Sequence, residues 1–273
     1  MTTVICSAVV SLLLGFGLGL YAFHLGIGLS LLLSFGIFLL CHVLFILFFS
    51  LIARSVPTDR PLEKQNELCR IGTAEGFSII NFYAGIRPVV TGLEKIPRDT
   101  RFLYVCNHRS IFDPLIVADK LRDYNISFIS KPSNMNLPLV SRVAYAAGYL
   151  PIDRENDRNA LKTILTAADY LKRDICSIGI YPEGTRSKTK DLLPFHAGSL
   201  KIAQRAKAPI VVAAVHGTEK ITHMKLFSFE KVWLDILEVI PPETVCSMRT
   251  DALAEHIRGI IQADLDRVEK QEA

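Results

Sequence analysis

Polarity divides the chain into two unequal parts. Between Met1 and Ala53 there is no Asp, Glu, Lys or Arg, so all 31 basic and 27 acidic side chains lie from Arg54 onward. The apolar part breaks near 24–28 into two runs, 4–23 and 27–52. A hydrocarbon layer about 30 Å thick takes about 20 helical residues, so each run is long enough to cross. The short link between them predicts a tight helical hairpin, spanning the bilayer or dipping into one leaflet. The lack of basic residues after Met1 and the length of the apolar stretch argue against a cleaved signal peptide. The remainder alternates in period. Helices are predicted over 62–83, with Leu68, Ile71, Phe77 and Ile80 as the buried side, and over 115–121, 137–147, 159–172, 197–206 and 251–268. In 159–172 the inward face is expected to carry Leu161, Ile164, Leu165, Ala168 and Leu171. Gly72 and Gly76 weaken the first helix, and Gly148 ends the third. Strands are predicted at 87–90, 102–106, 126–130, 149–152, 176–181, 210–215 and 232–240. Strands alternating with helices make an α/β fold, a mixed sheet flanked by helices and preceded by the hydrophobic hairpin. The expected division is 1–53 in the membrane, 54–86 as an interfacial linker and helix, and 87–273 as the α/β domain.

Composition sharpens this picture. Half the residues are hydrophobic and the mean hydropathy is +0.30, more apolar than an ordinary soluble chain. Arg54, Arg60, Lys64 and Arg70 closely follow the second run. The positive-inside rule then places the polar domain on the cytoplasmic side, of a bacterial inner membrane or of the endoplasmic reticulum. The six cysteines form no CxxC pair and two fall in the apolar head, which excludes a zinc ribbon and a disulfide framework. A net charge of +4 favours anionic lipid headgroups and is too weak to imply nucleic acid.

The candidate chemistry starts at the stretch from Tyr104 to Pro114, YVCNHRSIFDP. A short buried strand breaks at Asn107 and His108, and Asp113 and Pro114 read as the start of a helix. Pro114 suits the first helical position and Asp113 the N-cap. A turn between them folds the carboxylate onto the imidazole, which fixes one ring nitrogen and leaves the other to accept a proton. The plain alternative is an ordinary Asp-Pro helix start with a hydrogen-bonded loop histidine. Past the strand at 176–181 comes Glu183-Gly184-Thr185-Arg186. Glycine admits close backbone approach, and the guanidinium fork matches phosphate oxygens, so this loop reads as an anion cradle. Its plain alternative is a surface turn with Glu183 paired to Arg186. His24, His42, His196, His216, His223 and His256 are scattered and are expected to be structural.

Together, NHRSIFD and YPEGTRS, with GYLPIDR between them, resemble the glycerolipid acyltransferase family, most closely its 1-acyl-glycerol-3-phosphate acyltransferases. The resemblance covers about 87–242. It aligns Gly148, Ile152 and Arg154 with one family block, the segment from Leu193 to Gly198 with the continuation of EGTR, and Ala208 to Val211 with the last block. Val212 stands where a second proline is expected, and Tyr181 where phenylalanine is common. The resemblance implies transfer of a fatty acyl group from a thioester to the sn-2 hydroxyl of lysophosphatidic acid, giving phosphatidic acid. His108 would be the base and Asp113 its orienting partner. Arg186 would hold the phosphate, with Glu183, Gly184 and Thr185 shaping the loop and Lys131 and Arg154 as further contacts. No cofactor or metal is implied, only acyl-CoA or acyl carrier protein as co-substrate. Backbone N–H groups of the 108–113 turn are candidate oxyanion donors, and apolar residues of 115–121 and 137–147 are candidates for an acyl groove. The rival readings are an acyltransferase for another acceptor (glycerol 3-phosphate, another lysophospholipid or a lipidated amine), a hydrolase with Ser110 as nucleophile, and a catalytically dead membrane-anchored scaffold.

Overall fold

The computed structural model describes residues 2–189, 191–221 and 229–272; His223 lies outside them. The apolar head is a helical hairpin. Helix α1 (Thr2–Gly17) runs on through a π-helical turn at Leu18–Ala22, and α2 (Ile27–Ala53) returns beside it. Small residues let the two backbones meet. Ser11, Ser30 and Ser34 are buried. A Cβ on Gly15 would lie 2.6 Å from the Ser34 backbone nitrogen, and one on Gly19 would lie 2.5 Å from Ser30 Oγ. Small residues at four-residue spacing on both partners allow this close helix crossing. The large side chains, among them Leu13, Leu32 and Phe48, point outward. Both helices are long and apolar enough to cross a membrane by length and composition.

Helix α3 (Glu67–Tyr83) starts at Asn66, whose side chain accepts from the Cys69 N–H at 3.0 Å. It lies antiparallel along the second half of α2. Gly72 meets the Phe49 ring, Gly76 faces Phe45, and the Tyr83 hydroxyl is 3.3 Å from His42 Nε2. The expected buried face is therefore wrong. Cys69, Gly72, Ala74, Ser78 and Asn81 face inward, while Leu68, Ile71 and Ile80 are exposed and Phe77 is only partly buried. The glycines that weaken the helix on paper form the surface that lets α2 approach, and a large side chain has no room there.

The strands and helices then alternate: β1 (Ile86–Thr91), β2 (Leu103–Cys106), α4 (Asp113–Lys120), β3 (Ile126–Ser130), α5 (Ser141–Ala146), β4 (Leu150–Pro151), α6 (Asp157–Lys172), β5 (Ser177–Ile180), α7 (Lys201–Ala206), β6 (Ile210–His216), β7 (Glu230–Ile240), α8 (Pro242–Ser247) and α9 (Thr250–Glu272). Among the described residues the strands form one sheet in the order β1-β7-β6-β2-β5-β3-β4. Every neighbouring pair is parallel except β6 and β7. Strands covered on both faces read as unbroken apolar runs, and β2, β5 and β6 do. Leu103, Val105, Ile178, Val212 and Ala214 pack against α6, α7 and α9 through Ala167, Ile202, Leu253 and Ile257. Tyr104, Cys106, Phe128, Val211 and Ala213 pack the other way, against Val117 of α4, Val143 and Ala146 of α5, and Ala53 of α2.

Three local expectations change. The helix predicted over 137–147 shrinks to Ser141–Ala146, because Pro138 holds Leu137 extended (φ −69°, ψ 123°) and Leu139 is left-handed (φ 67°). On α6, Ile164 is partly buried and Ala168 and Leu171 are buried, but Leu161 and Leu165 are exposed. Helix α8, too short for a visible period, was not foreseen.

Candidate active site

Ligands of open α/β sheets lie beyond the carboxyl ends of the parallel strands. The residues singled out by motif all emerge at that edge: His108 after β2, Lys131 after β3, Arg154 after β4, and Glu183 to Arg186 after β5. Asn107 fastens the first of these loops. Fully buried, it donates to the Val215 carbonyl at 3.0 Å and accepts from the Val215 N–H at 2.8 Å. It thus extends the β2–β6 pairing by one rung.

Beyond that rung the chain turns over Asp113. His108 Nδ1 and Asp113 Oδ2 are 2.8 Å apart, and the same oxygen accepts the N–H groups of Arg109 and Ser110, each at 2.8 Å. Asp113 is the first residue of α4 and Pro114 the second, with Phe112 as N-cap. The carboxylate therefore points back into the turn and does not cap the helix, which corrects the expected N-cap. With Asp113 a bare acceptor, Nδ1 carries the proton and Nε2 is the basic nitrogen. Nε2 makes no hydrogen bond among the described residues, and the His108 side chain is 19% exposed. One face of the ring lies against Tyr181, centroids 4.3 Å apart at 21°, and Tyr181 in turn stacks on Phe128. Burial pushes the Tyr181 phenol well above its ordinary pKa, so it stays neutral. Ser110 Oγ accepts from the Phe112 N–H at 3.4 Å.

Glu183 is buried, and its role follows from its two partners. Oε1 accepts the His108 N–H at 2.6 Å and Oε2 the Leu193 N–H at 2.9 Å. Burial raises its pKa, against the pull of those two N–H groups. It does not pair with Arg186. The Ser187 N–H also donates to the His108 carbonyl at 2.8 Å, so the two motif loops are laced together through the backbone. The N–H groups of His108, Arg109 and Ser110 are all committed, which removes them as oxyanion donors. Gly184 has φ 72°, and a Cβ there would lie 2.8 Å from the His196 ring and 3.7 Å from Arg154 Nη1. The EGTR turn, Arg154 and His196 are thus neighbours, and partial burial lowers the Arg154 pKa. Thr185, Arg186 and Lys131 are exposed. No hydrogen bond or ion pair ties down Arg186 or Lys131 among the described residues. Ile116 and Val117, expected in an acyl groove, are sealed in the core.

Reasoning from motifs missed the Tyr181 stack, the Ser187 tie and His196. Tyr181 is the one with a signal, an aromatic residue directly after the strand that carries the second motif. Among the described residues one cluster has the spacing to hold a cation. His216, Asp235 and Asp264 bring their ligand atoms within 4.8 Å of one another. Their own charges already satisfy them: His216 Nε2 lies 2.8 Å from Asp264 Oδ2 and 3.4 Å from Asp235 Oδ2.

Known proteins resemble this chain in sequence and in fold. The acyltransferase family model matches residues 87–216. The 1-acyl-sn-glycerol-3-phosphate acyltransferase of Escherichia coli is 30% identical over 175 residues, 63% of this chain and 69% of the relative. The human 1-acyl-sn-glycerol-3-phosphate acyltransferase beta is 29% identical over 192 residues, 67% of this chain and 69% of the relative. The crystal structure of the 1-acyl-sn-glycerophosphate acyltransferase of Thermotoga maritima shares the fold, with a TM-score of 0.64 and 23% identity over 84% of this chain and 88% of that one. With a relative 30% identical of which this chain covers 69%, and a family match that runs from β1 through both motif loops to the last residue of β6, the chain belongs to the acyltransferase family and is an O-acyltransferase.

Proposed function

We propose that this enzyme acylates the sn-2 hydroxyl of 1-acyl-glycerol 3-phosphate, giving phosphatidic acid, with His108 as the general base. The observation that carries the base assignment is the Asp113 carboxylate 2.8 Å from His108 Nδ1, pinned by two backbone N–H groups. Nε2 then takes the acceptor's hydroxyl proton as that oxygen attacks the thioester carbonyl. Collapse of the tetrahedral intermediate expels the thiolate, which takes the proton back from Nε2. Asp113 steadies the imidazolium in between. Arg186, Arg154 and Lys131, cations at the same sheet edge without an acidic partner among the described residues, receive the acceptor's phosphate. Thr185 and Gly184 shape that cradle, and Glu183 holds it to the His108 loop. The donor is acyl-CoA or acyl carrier protein. The hairpin lies in the membrane, and the basic residues after α2 keep the catalytic domain on the cytoplasmic side.

The test is acyl transfer by membranes containing the chain, with labelled acyl-CoA or acyl carrier protein as donor. Lysophosphatidic acid, glycerol 3-phosphate and lysophosphatidylcholine are offered in parallel. Phosphatidic acid is expected from lysophosphatidic acid alone, and the His108→Ala variant should lose about 100- to 10,000-fold in rate. Product from a different acceptor would overturn the substrate, and a fully active His108→Ala variant would overturn the base.

A further inference from the structure

The loop between β3 and α5 presents an unusual surface. Leu137, Leu139 and Val140 are 51%, 48% and 42% exposed, with Pro138 exposed between them. Four consecutive apolar residues on the outside of a water-soluble domain are uncommon and mark a contact surface. The backbone is also unusual, since Leu139 has φ 67°, a region that glycine enters freely and leucine only under constraint. The flanks supply the constraint. Met135 before the knuckle and Val143 after it both pack into the cluster that holds Ala53, Phe49 and Ile52 of α2. Arg142 Nη1 donates to the Arg54 carbonyl at 3.3 Å, and the Tyr145 hydroxyl donates to the Arg60 carbonyl. The knuckle is therefore fixed where the apolar hairpin ends and the polar chain begins.

Charge points to the same partner. No acidic residue lies between Asp123 and Asp153, and the charged residues in that stretch are Lys131 and Arg142. Arg142, two residues past the tip, reaches back to Arg54, so an apolar tip stands beside exposed positive charge, the pattern of a segment seated among anionic headgroups with its apolar side chains in the acyl boundary. We propose that residues 137–140 are a second membrane contact, made by the α/β domain itself, with the lipid bilayer as its occupant. The hairpin tethers the domain, and the knuckle fixes its tilt against the same leaflet. This rests on reading the hairpin as membrane-embedded.

Trp233 is the only tryptophan, which gives a direct test. In a Trp233→Phe background, the full chain is reconstituted into phosphatidylcholine–phosphatidylglycerol vesicles with and without brominated acyl chains. Single tryptophans are placed by Leu137→Trp, by Leu44→Trp in α2, and by His256→Trp on the exposed side of α9. The expected result is a blue-shifted emission that is lost on brominated lipid for positions 137 and 44, with position 256 unquenched. Quenching at 44 without quenching at 137 overturns the second contact, and so does quenching at all three positions. If 137 is blue-shifted but unquenched, protein rather than lipid covers it, a second copy or a neighbouring loop, and the proposal falls. No quenching at 44 removes the membrane reading of the hairpin and the proposal with it. None of these signals depends on acyl transfer, so they separate from failure of the proposed reaction.

Discussion

Asp113 and Glu183 show how far two carboxylates in motif loops can differ in what they do. Asp113 was legible, because a carboxylate five positions from a histidine across a strand-to-helix turn can reach it. Its reach backward was not, since an Asp-Pro pair looks the same whether its side chain caps the helix or braces the turn. Glu183 stands beside Arg186 in the sequence and so reads as part of a phosphate cradle. In the fold it is buried beneath the loop with both oxygens taken by backbone N–H groups. What decides this is the pairing of β2 with β5, which sets the two loops side by side, and no local pattern reports it. Glu183→Gln puts an NH2 group opposite one of two N–H donors, so one hydrogen bond is replaced by a repulsive contact. The loop that carries His108 then shifts. We expect kcat to fall by on the order of 10- to 100-fold, the effect of misplacing the proposed base by about 1 Å, with the acceptor KM near that of the parent enzyme. Steady-state kinetics on the folded variant check this. A raised KM with kcat retained would make Glu183 a substrate contact instead.

At the scale of elements, the strands were the most readable parts. β2, β5 and β6 are apolar runs because they are covered on both faces, and these three and β3 each appeared within a residue or two of the predicted place. Helix faces were less readable. A periodicity argument sends large apolar residues inward, but α3 is pressed against α2, where only Gly72 leaves room for Phe49. The same holds between α1 and α2. Gly15 faces the Ser34 backbone, which cannot step aside, whereas a Cβ on Gly17 would meet nothing within 4 Å. Alanine is favoured over glycine in a helix interior by about 1 kcal/mol. Gly17→Ala should keep that gain and leave the hairpin intact. Gly15→Ala should be overpacked by about 1–3 kcal/mol, cancelling the gain and prising the helices apart. Protease protection of the hairpin and thermal melts in nanodiscs distinguish the pair. Equal protection in both variants would mean that the helices do not meet at Gly15.

For the molecule as a whole, the question is what holds α9 to the sheet. Its apolar stripe of Leu253, Ile257, Ile261 and Leu265 packs into the core beside α6 and α7, and one ionic cluster ties it to β6 and β7. His216 at the end of β6 lies between Asp235 of β7 and Asp264 of α9, Thr91 donates to Asp235, and Arg267 donates to Asp264. Burial disfavours the imidazolium, but the two carboxylates outweigh it and push the His216 pKa up to about 9. For Asp235 and Asp264 burial likewise opposes ionisation, and the His216 contact outweighs it, so both fall below the ordinary aspartate value. The direction of the pH effect follows from these shifts. A histidine with a raised folded pKa contributes its full stabilisation below its unfolded value, about 6.5, and loses it as pH rises through about 9. The two aspartates contribute above their unfolded value and lose it as pH falls through their depressed ones. The tie is therefore strongest from mildly acidic to neutral pH. The melting temperature should decline between about pH 7 and 9, and His216→Asn, unable to carry the charge, should flatten that limb. Asp264→Ala leaves the imidazolium with Asp235 alone and should cost about 3 kcal/mol near neutrality, at the lower end for a broken buried pair. Because Val215, next to His216, also carries the rung that fixes Asn107 beside His108, the alkaline loss should reach the active site. Activity measured at fixed temperature should then decline with the melting temperature above pH 7 in the parent enzyme, and His216→Asn should be less active at neutral pH yet nearly insensitive across the same range. A parent melting temperature flat to pH 9 would show that this cluster does not hold the C-terminal helix.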